Sequence, residues 1–244
     1  MLRFSVVIPI YNEEDSITPL VFSLKKVMDE LGETYEIIFV DDGSKDGSLN
    51  VLKSANLRRS NLVIIDLKKH SGKFSALQAG FDISRGELII TMDGDLQNDP
   101  RDIPRILDKI KEGYDFVCGW RYNRKDPWGK LLVSKIARNL RKIIFDEDIH
   151  DPGCALRVFK KETLKEVFLF RGAHRFISLI MVKLGFKVGE IKVEHYPRRF
   201  GKSKYNIHNR LFETIICFAL FFLFEIHRLM RRKTYCEIKE VIRS

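Results

Sequence analysis

The chain has 244 residues, 45% of them hydrophobic and 31% charged, which supplies a large core and excludes a disordered or low-complexity protein. Its 43 Lys and Arg outnumber its 33 Asp and Glu for a formal net charge of +10. The excess is uneven, with 15 basic and 20 acidic side chains in residues 1–120 against 28 and 13 in residues 121–244. A uniform basic coat is thereby excluded, and only the second half has the field of a surface that meets phosphates or an anionic membrane.

Cys118, Cys154, Cys217 and Cys236 lie far apart with no CxxC pair, so neither a zinc site nor a disulfide framework is indicated and a reducing compartment fits. The apolar stretch at residues 4–10 is too short for the hydrophobic region of an export signal and runs directly into Asn12, Glu13, Glu14 and Asp15. A cytoplasmic location is expected.

Residues 4–9 read as a buried strand, and the acidic residues after it suit the positive end of a helix running to about Glu30. A second strand is predicted at 35–40 with a helix over 46–55, a third at 62–66 with a helix over 74–84, and a fourth at 87–92. Pro100 opens a helix ending near Gly113, and 115–118 is a fifth strand. Near-continuous apolar strands alternating with amphipathic helices predict an α/β fold, a mostly parallel sheet covered by helices on both faces. Ligands in such sheets bind beyond the carboxyl ends of the strands.

After residue 120 the pattern changes. A basic amphipathic helix is expected over 128–145, a loop over 146–160 leading into a short strand at 155–159, a helix over 174–184 and a strand at 188–195. No linker or repeat interrupts the chain, so residues 1–204 are read as one domain, with halves 1–120 and 121–204, followed by a helical C-terminal segment, 205–244. Within that segment, Thr214 to Phe224 is an uncharged run containing Phe218, Phe221, Phe222 and Phe224. As a helix it would be about 17 Å long, too short for a bilayer core of roughly 30 Å. It reads either as a buried or dimer-forming helix or as one lying in the membrane interface. Its aromatics, with Arg210, Arg228, Arg231, Arg232 and Lys233 beside it, favour a peripheral membrane contact over a span.

Each predicted strand delivers polar residues to one edge. The first supplies Pro9, Tyr11, Asn12 and Glu13, the second Asp41, Asp42, Gly43 and Ser44, and the fourth Asp93, Gly94, Asp95 and Gln97. Singly, these are the turn and cap residues of any α/β protein. Together, their carboxylates would repel one another, which predicts a cation among them. Asp93 and Asp95, two apart after a strand, can share one hard ion if Gly94 lets the chain turn, and Mg2+ or Mn2+ accepts phosphate oxygens in the same shell. The basic half offers Arg121, Lys130 and Arg175, and a loop carrying Arg198, Arg199, Lys202 and Lys204 around Gly201. That loop suits a diphosphate or a phospholipid headgroup; no nucleic-acid signature accompanies it. His70, His150, His174 and His195 have no metal-ligand spacing.

Pro9, Tyr11, Asn12 and Glu13, the run Val40 to Gly47, Asp93 to Gln97, Gly119 to Tyr122, Asp151 to Arg157 and Arg198 to Lys204 follow the order and spacing of a known family. Over residues 3–205 the chain resembles the family 2 inverting glycosyltransferases of the GT-A fold, in the branch of dolichyl-phosphate mannose synthases and bacterial polyprenyl-phosphate glycosyltransferases. The resemblance implies a Rossmann-like nucleotide-binding half and transfer of a hexose from a UDP- or GDP-linked sugar to a polyprenyl phosphate. It also implies dependence on Mg2+ or Mn2+ and action at the cytoplasmic side of the cell membrane, where the short apolar run 214–224 is expected to attach the chain peripherally. A homo-oligomer is compatible with it.

By position, Pro9, Tyr11, Glu13, Val40 and Asp42 would hold base and ribose. Asp93, Asp95 and Gln97 would hold the metal, and Gly94 would lie against the ribose phosphate. Arg121, Lys130, Arg175 and Arg198 would meet donor or acceptor phosphate. Asp95 and Arg121 would thereby take part in the transfer step itself. Asp151 would stand at the reacting centre, to orient the acceptor or serve as its base. Two other readings stay open, transfer to a saccharide or other hydroxyl acceptor and a module that binds nucleotide sugar or membrane without turnover.

Overall fold

The computed structural model describes residues 2–56, 61–123, 142, 149–166, 177–198, 200 and 238–243. Its strands are β1 (Phe4–Ile10), β2 (Tyr35–Asp41), β3 (Leu62–Leu67), β4 (Leu88–Thr91), β5 (Phe116–Arg121), β6 (Arg157–Lys160), β7 (Val188–Val193) and β8 (Ile238–Arg243). The helices are α1 (Glu14–Glu30), α2 (Ser48–Asn56), α3 (Lys73–Ile83), α4 (Ile103–Lys111) and α5 (Ile177–Lys183). The strands form one sheet in the order β7-β5-β6-β4-β1-β2-β3-β8. β3, β2, β1 and β4 are parallel, as are β5 and β7, while β6 runs antiparallel to β4 and β5 and β8 antiparallel to β3.

Alternation along β1 explains why its sequence is apolar throughout. Val6 and Ile8 face a layer with Leu20, Leu24 and Met28 of α1 and Ile106 of α4, whereas Val7 faces Phe74, Leu77 and Phe81 of α3. With both sides covered, no position in the strand can be polar without a partner. The chain steps outward from β1 to β2 and β3, then α3 carries it back across to β4 on the other side of β1. That reversal opens a crevice between the carboxyl ends of β1 and β4, where an open α/β sheet binds its ligand.

The expected α/β sheet is present, with two differences in its outer parts. Residues 238–243, expected in a helical segment, form a strand. Their β-branched run of Ile238, Val241 and Ile242 favours extended backbone, and pairing satisfies the otherwise open edge of β3. The second difference is β7, which stops at Val193; His195 makes only an isolated bridge to Asn98. The helix expected over 128–145 and the apolar run 214–224 lie outside the described residues. Among the described residues no helix is long and apolar enough to cross a membrane.

Candidate functional site

The end of β4 carries Asp93, Gly94 and Asp95 against β1. A Cβ on Gly94 would lie 2.4 Å from Ile10 Cδ1 and 3.3 Å from the Pro9 carbonyl oxygen, so a side chain here would have to displace the Ile10 methyl and press on the end of β1. The backbone reversal falls elsewhere. Asn12 and Leu96 both have left-handed φ, 50° and 61°, a conformation that costs a non-glycine residue on the order of 1–2 kcal/mol. Local bonds hold them. Asn12 N–H donates to Ser44 Oγ at 2.9 Å, Asn12 Oδ1 accepts from Lys45 N–H at 2.7 Å, and Gln97 N–H donates to Asp95 Oδ1 at 3.1 Å.

Each of the two carboxylates has a protein cation. Lys73, the first residue of α3, is ion-paired with Asp93. Arg198 forks between Asp95 Oδ2 at 2.8 Å and Glu13 Oε1 at 2.9 Å, joining β1, β4 and the segment after β7. Burial pushes the Asp93 carboxyl up, but Lys73, Arg121 and Arg157 outweigh it and hold it below the usual carboxylate range. Asp95 is raised, first by burial and then by the charge on Asp93. The cation demanded by converging carboxylates is thus supplied in part by the chain itself.

A second cluster stands at the ends of β2 and β3. Asp42 is 2% exposed and accepts from Ser71 N–H at 2.7 Å and Gly72 N–H at 2.9 Å, with His70 Nδ1 2.8 Å from its Oδ2. Gly43, at φ 67°, lets this loop pack on β2, since a Cβ there would sit 2.7 Å from the His70 amide nitrogen. The His70 ring stacks on Tyr11, with centroids 3.9 Å apart and planes 18° from parallel.

The third cluster joins β5, β7 and the loop before β6. Arg121 Nε and Nη2 donate to Asp151 Oδ2 and Oδ1 at 2.5 and 2.8 Å, a bidentate pair in which carboxylate and guanidinium fix each other's plane. Burial opposes the charge on Arg121, yet Asp151 raises its pKa above the ordinary value. Glu190 of β7 accepts from Asp151 N–H at 2.8 Å and His150 N–H at 3.0 Å, and His150 stacks on Trp120. Arg157 is 3% exposed. It donates to the Pro152 carbonyl at 2.9 Å, and its buried Nε has no hydrogen-bond partner among the described residues.

Of the residues expected at the site, Glu13, Asp95 and Arg198 form one bonded network, Asp93 beside it is paired with Lys73, and Arg121 with Asp151 forms another pair whose charge reaches Asp93. Gln97 is positioned by its Nε2, which donates to the Tyr196 carbonyl at 3.2 Å. Pro9 borders Gly94. Val40 is placed differently. Its side chain is fully buried under α3, because β2 is covered on both faces, so only its backbone remains for a ligand. Asp42 is likewise engaged by the loop amides. Lys130 and Arg175 lie outside the described residues.

Lys73, His70, Arg157 and Glu190 were not singled out from the sequence as site residues. Lys73 carried a signal, since a cation at a helix start opposes the helix dipole and needs an anion nearby. Arg157 carried another, as the one charge in an otherwise apolar run from Cys154 to Phe159.

A divalent ion asks for hard oxygen donors. Asp93 and Asp95 supply them, and each already holds a cation in the form of Lys73 or Arg198, so the pair fits Mg2+ or Mn2+ in exchange for those side chains. No group of three or more His, Cys, Asp or Glu gathers for a metal among the described residues, leaving the rest of a shell to other oxygens. A cavity of about 760 Å³ opens at the opposite edge, beside Phe4 and Leu88 at the starts of β1 and β4. It contains none of these residues.

Residues 5–168 match the model of Glycosyl transferase family 2. A dodecaprenyl-phosphate galacturonate synthase of Rhizobium johnstonii is 40% identical over 220 residues, covering 88% of this chain and 65% of that protein. The chain thus spans just under two thirds of that relative's length. Mannosyl-3-phosphoglycerate synthase from Rubrobacter xylanophilus superposes with a TM-score of 0.75 at 17% identity, over 100% of this chain and 87% of that one. Glucosyl-3-phosphoglycerate synthase from Mycobacterium tuberculosis, in complex with Mn2+, uridine-diphosphate-glucose and phosphoglyceric acid, superposes with a TM-score of 0.63 at 19% identity, over 82% and 73% of the two chains. At such identities these structures speak to the fold alone.

Proposed function

The chain belongs to glycosyl transferase family 2, and from that premise we propose that it moves a hexosyl group from a UDP- or GDP-linked sugar to a polyprenyl phosphate, with inversion, at the cytoplasmic face of a membrane. The observation that carries the reading is the pair Asp93 and Asp95 at the β1/β4 crevice, with Lys73, Arg198 and Arg121 directed at this acidic edge. The polyprenyl-phosphate acceptor is supported by the 40% identical dodecaprenyl-phosphate galacturonate synthase.

In the reaction proposed, an acceptor phosphate oxygen forms a bond to the anomeric carbon as the bond from that carbon to the diphosphate breaks. The nucleoside diphosphate leaves with the electron pair. A divalent ion held by Asp93 and Asp95 would supply charge neutralisation on that leaving group. Arg198, once released from Asp95 and Glu13, can turn its fork to phosphate, and Lys73 adds a second cation beside Asp93. A phosphate monoester is already anionic near neutral pH and needs no strong base. The geometry of Asp151 agrees, because its carboxylate is held bidentately by Arg121. It orients that guanidinium for phosphate, and positioning with charge stabilisation supplies most of the rate.

Nucleoside diphosphate release from a panel of UDP- and GDP-sugars tests the acceptor, with Mg2+ or Mn2+ present. Release is expected on adding polyprenyl phosphate and not on adding free polyprenol or saccharides. Release driven by a saccharide and indifferent to the lipid phosphate would replace this acceptor with a hydroxyl one.

A further inference from the structure

We propose that Glu190, on the edge strand β7, is a positioning residue for the transfer step, aiming Asp151 and through it the Arg121 guanidinium. The inference rests on the transfer reading above, in which Arg121 meets phosphate, and assigns a residue that acts on that step without touching substrate.

Glu190 lies 39 residues from Asp151 in sequence, and only the fold brings them together. Its side chain is 13% exposed, and its two oxygens take three donors from one short loop. Oε1 accepts from Asp151 N–H at 2.8 Å. Oε2 accepts from His150 N–H at 3.0 Å and from the His150 ring, whose Nδ1 is 2.9 Å away and carries the hydrogen because a carboxylate can only accept. Among the described residues no Lys or Arg pairs with Glu190. Its charge is committed to the loop.

Both residues of that loop reach β5 with their side chains. Asp151 holds Arg121 bidentately, and the His150 ring stacks on Trp120 with centroids 4.0 Å apart and planes 21° from parallel. β5 and β7 are themselves paired in parallel, from Phe116 with Val188 to Arg121 with Val193. The contacts therefore close a ring, from Arg121 through Asp151 to Glu190, then along β7 and back across the backbone to β5. Glu190 stands opposite Cys118, three residues or about 10 Å before Arg121 along the strands. A carboxylate fixed there sets where the Asp151 backbone lies, and with it the plane in which the guanidinium is held. Packing alone asks for no charge at this position. β7 is held to β5 by its backbone, and the loop has other anchors, with the Pro152 carbonyl accepting from Arg157 and Cys154 N–H donating to the Asp151 carbonyl. Glu190 adds the orientation at Asp151.

Glu190→Gln keeps the size and shape of the side chain. In either orientation of the new amide, its NH2 faces an N–H of His150 or Asp151 that had an acceptor, so the loop must turn. The test is a double-mutant cycle with Asp151→Asn in the full chain, read as nucleoside diphosphate release with Mn2+ and whichever acceptor the wild type uses. Glu190→Gln alone should lower kcat about tenfold or more, with KM for the nucleotide sugar within about twofold of wild type. In the Asp151→Asn background it should cost less than about a further twofold, because the residue through which it acts is already lost. A role confined to holding the fold would lower kcat by the same factor in both backgrounds. That result, or an unchanged kcat in the single variant, overturns the proposal. Glu190→Asp keeps the charge and shortens the reach by one methylene; it goes through the same cycle and decides the matter if the Gln variant does not fold. Turnover with an acceptor other than polyprenyl phosphate would replace that part of the transfer reading and leave Glu190 its role. Wild-type protein without turnover on any acceptor overturns both.

Discussion

Asp151 and Arg121 show how a single contact separates two chemistries. Held bidentately, Asp151 acts on the reaction through the guanidinium it orients. Asp151→Asn removes the charge partner and lets Arg121 tilt, and a misplacement of about 1 Å is enough to lower kcat about a hundredfold. Because no proton transfer is removed, the pH–rate profile should keep its shape. Disappearance of its acidic limb in the variant would instead identify Asp151 as a general base. Two thiols lie near this pair, and burial decides their reactivity. It pushes Cys118 well above the ordinary thiol range and Cys154 up to about 11. Near pH 7.5 both are therefore protonated. Alkylation followed by peptide mass mapping should leave Cys118 and Cys154 unmodified in the native protein and label them once it is unfolded.

Gly119 shows what an element requires of its residues. Within β5, a Cβ at this position would lie 2.8 Å from Val193 Cγ2 on β7 and 2.9 Å from Cys154 Sγ. Gly119→Ala should cost about 1–3 kcal/mol through overpacking, lowering the thermal midpoint by several degrees; an unchanged melt would contradict the packing. The central elements were legible because β1 to β4 are buried on both faces and their sequences are correspondingly apolar, with Asn12, Asp41 and Asp93 at or just past the ends of β1, β2 and β4. β8 was not. It is a short run after a long basic stretch, and its β-branched residues become a strand by pairing with the distant edge of β3. At the site, the carboxylates were legible as motifs, while Lys73 and His70 were passed over, because what defines them is a tertiary partner. Asp93 is 20 residues from Lys73 and Asp42 is 28 from His70, and no periodicity records such pairs.

The charge asymmetry of the whole chain gives the site its setting. The acidic first half forms the β1/β4 crevice, while Arg198 enters it from the basic second half. The apolar run 214–224, with its basic flanks, is proposed as the membrane contact. Deleting the whole C-terminal segment would also strip β8 from β3, so point changes are the cleaner probe. Phe221→Asp with Phe222→Asp should abolish sedimentation with anionic vesicles, and wild-type binding should weaken with salt. Undiminished sedimentation of the double variant would place this run inside a protein interface.

The central claim is that Asp93 and Asp95 support transfer of a hexose from a nucleotide sugar to a lipid phosphate. The most direct test supplies radiolabelled UDP- and GDP-sugars with polyprenyl phosphate and Mn2+, then counts label in the organic phase for the wild type and for Asp95→Ala. The account predicts metal-dependent lipid label from one of these donors, lost in a variant that remains folded by circular dichroism. Nucleoside diphosphate released with all label left in the aqueous phase, or full lipid labelling by Asp95→Ala, would contradict it.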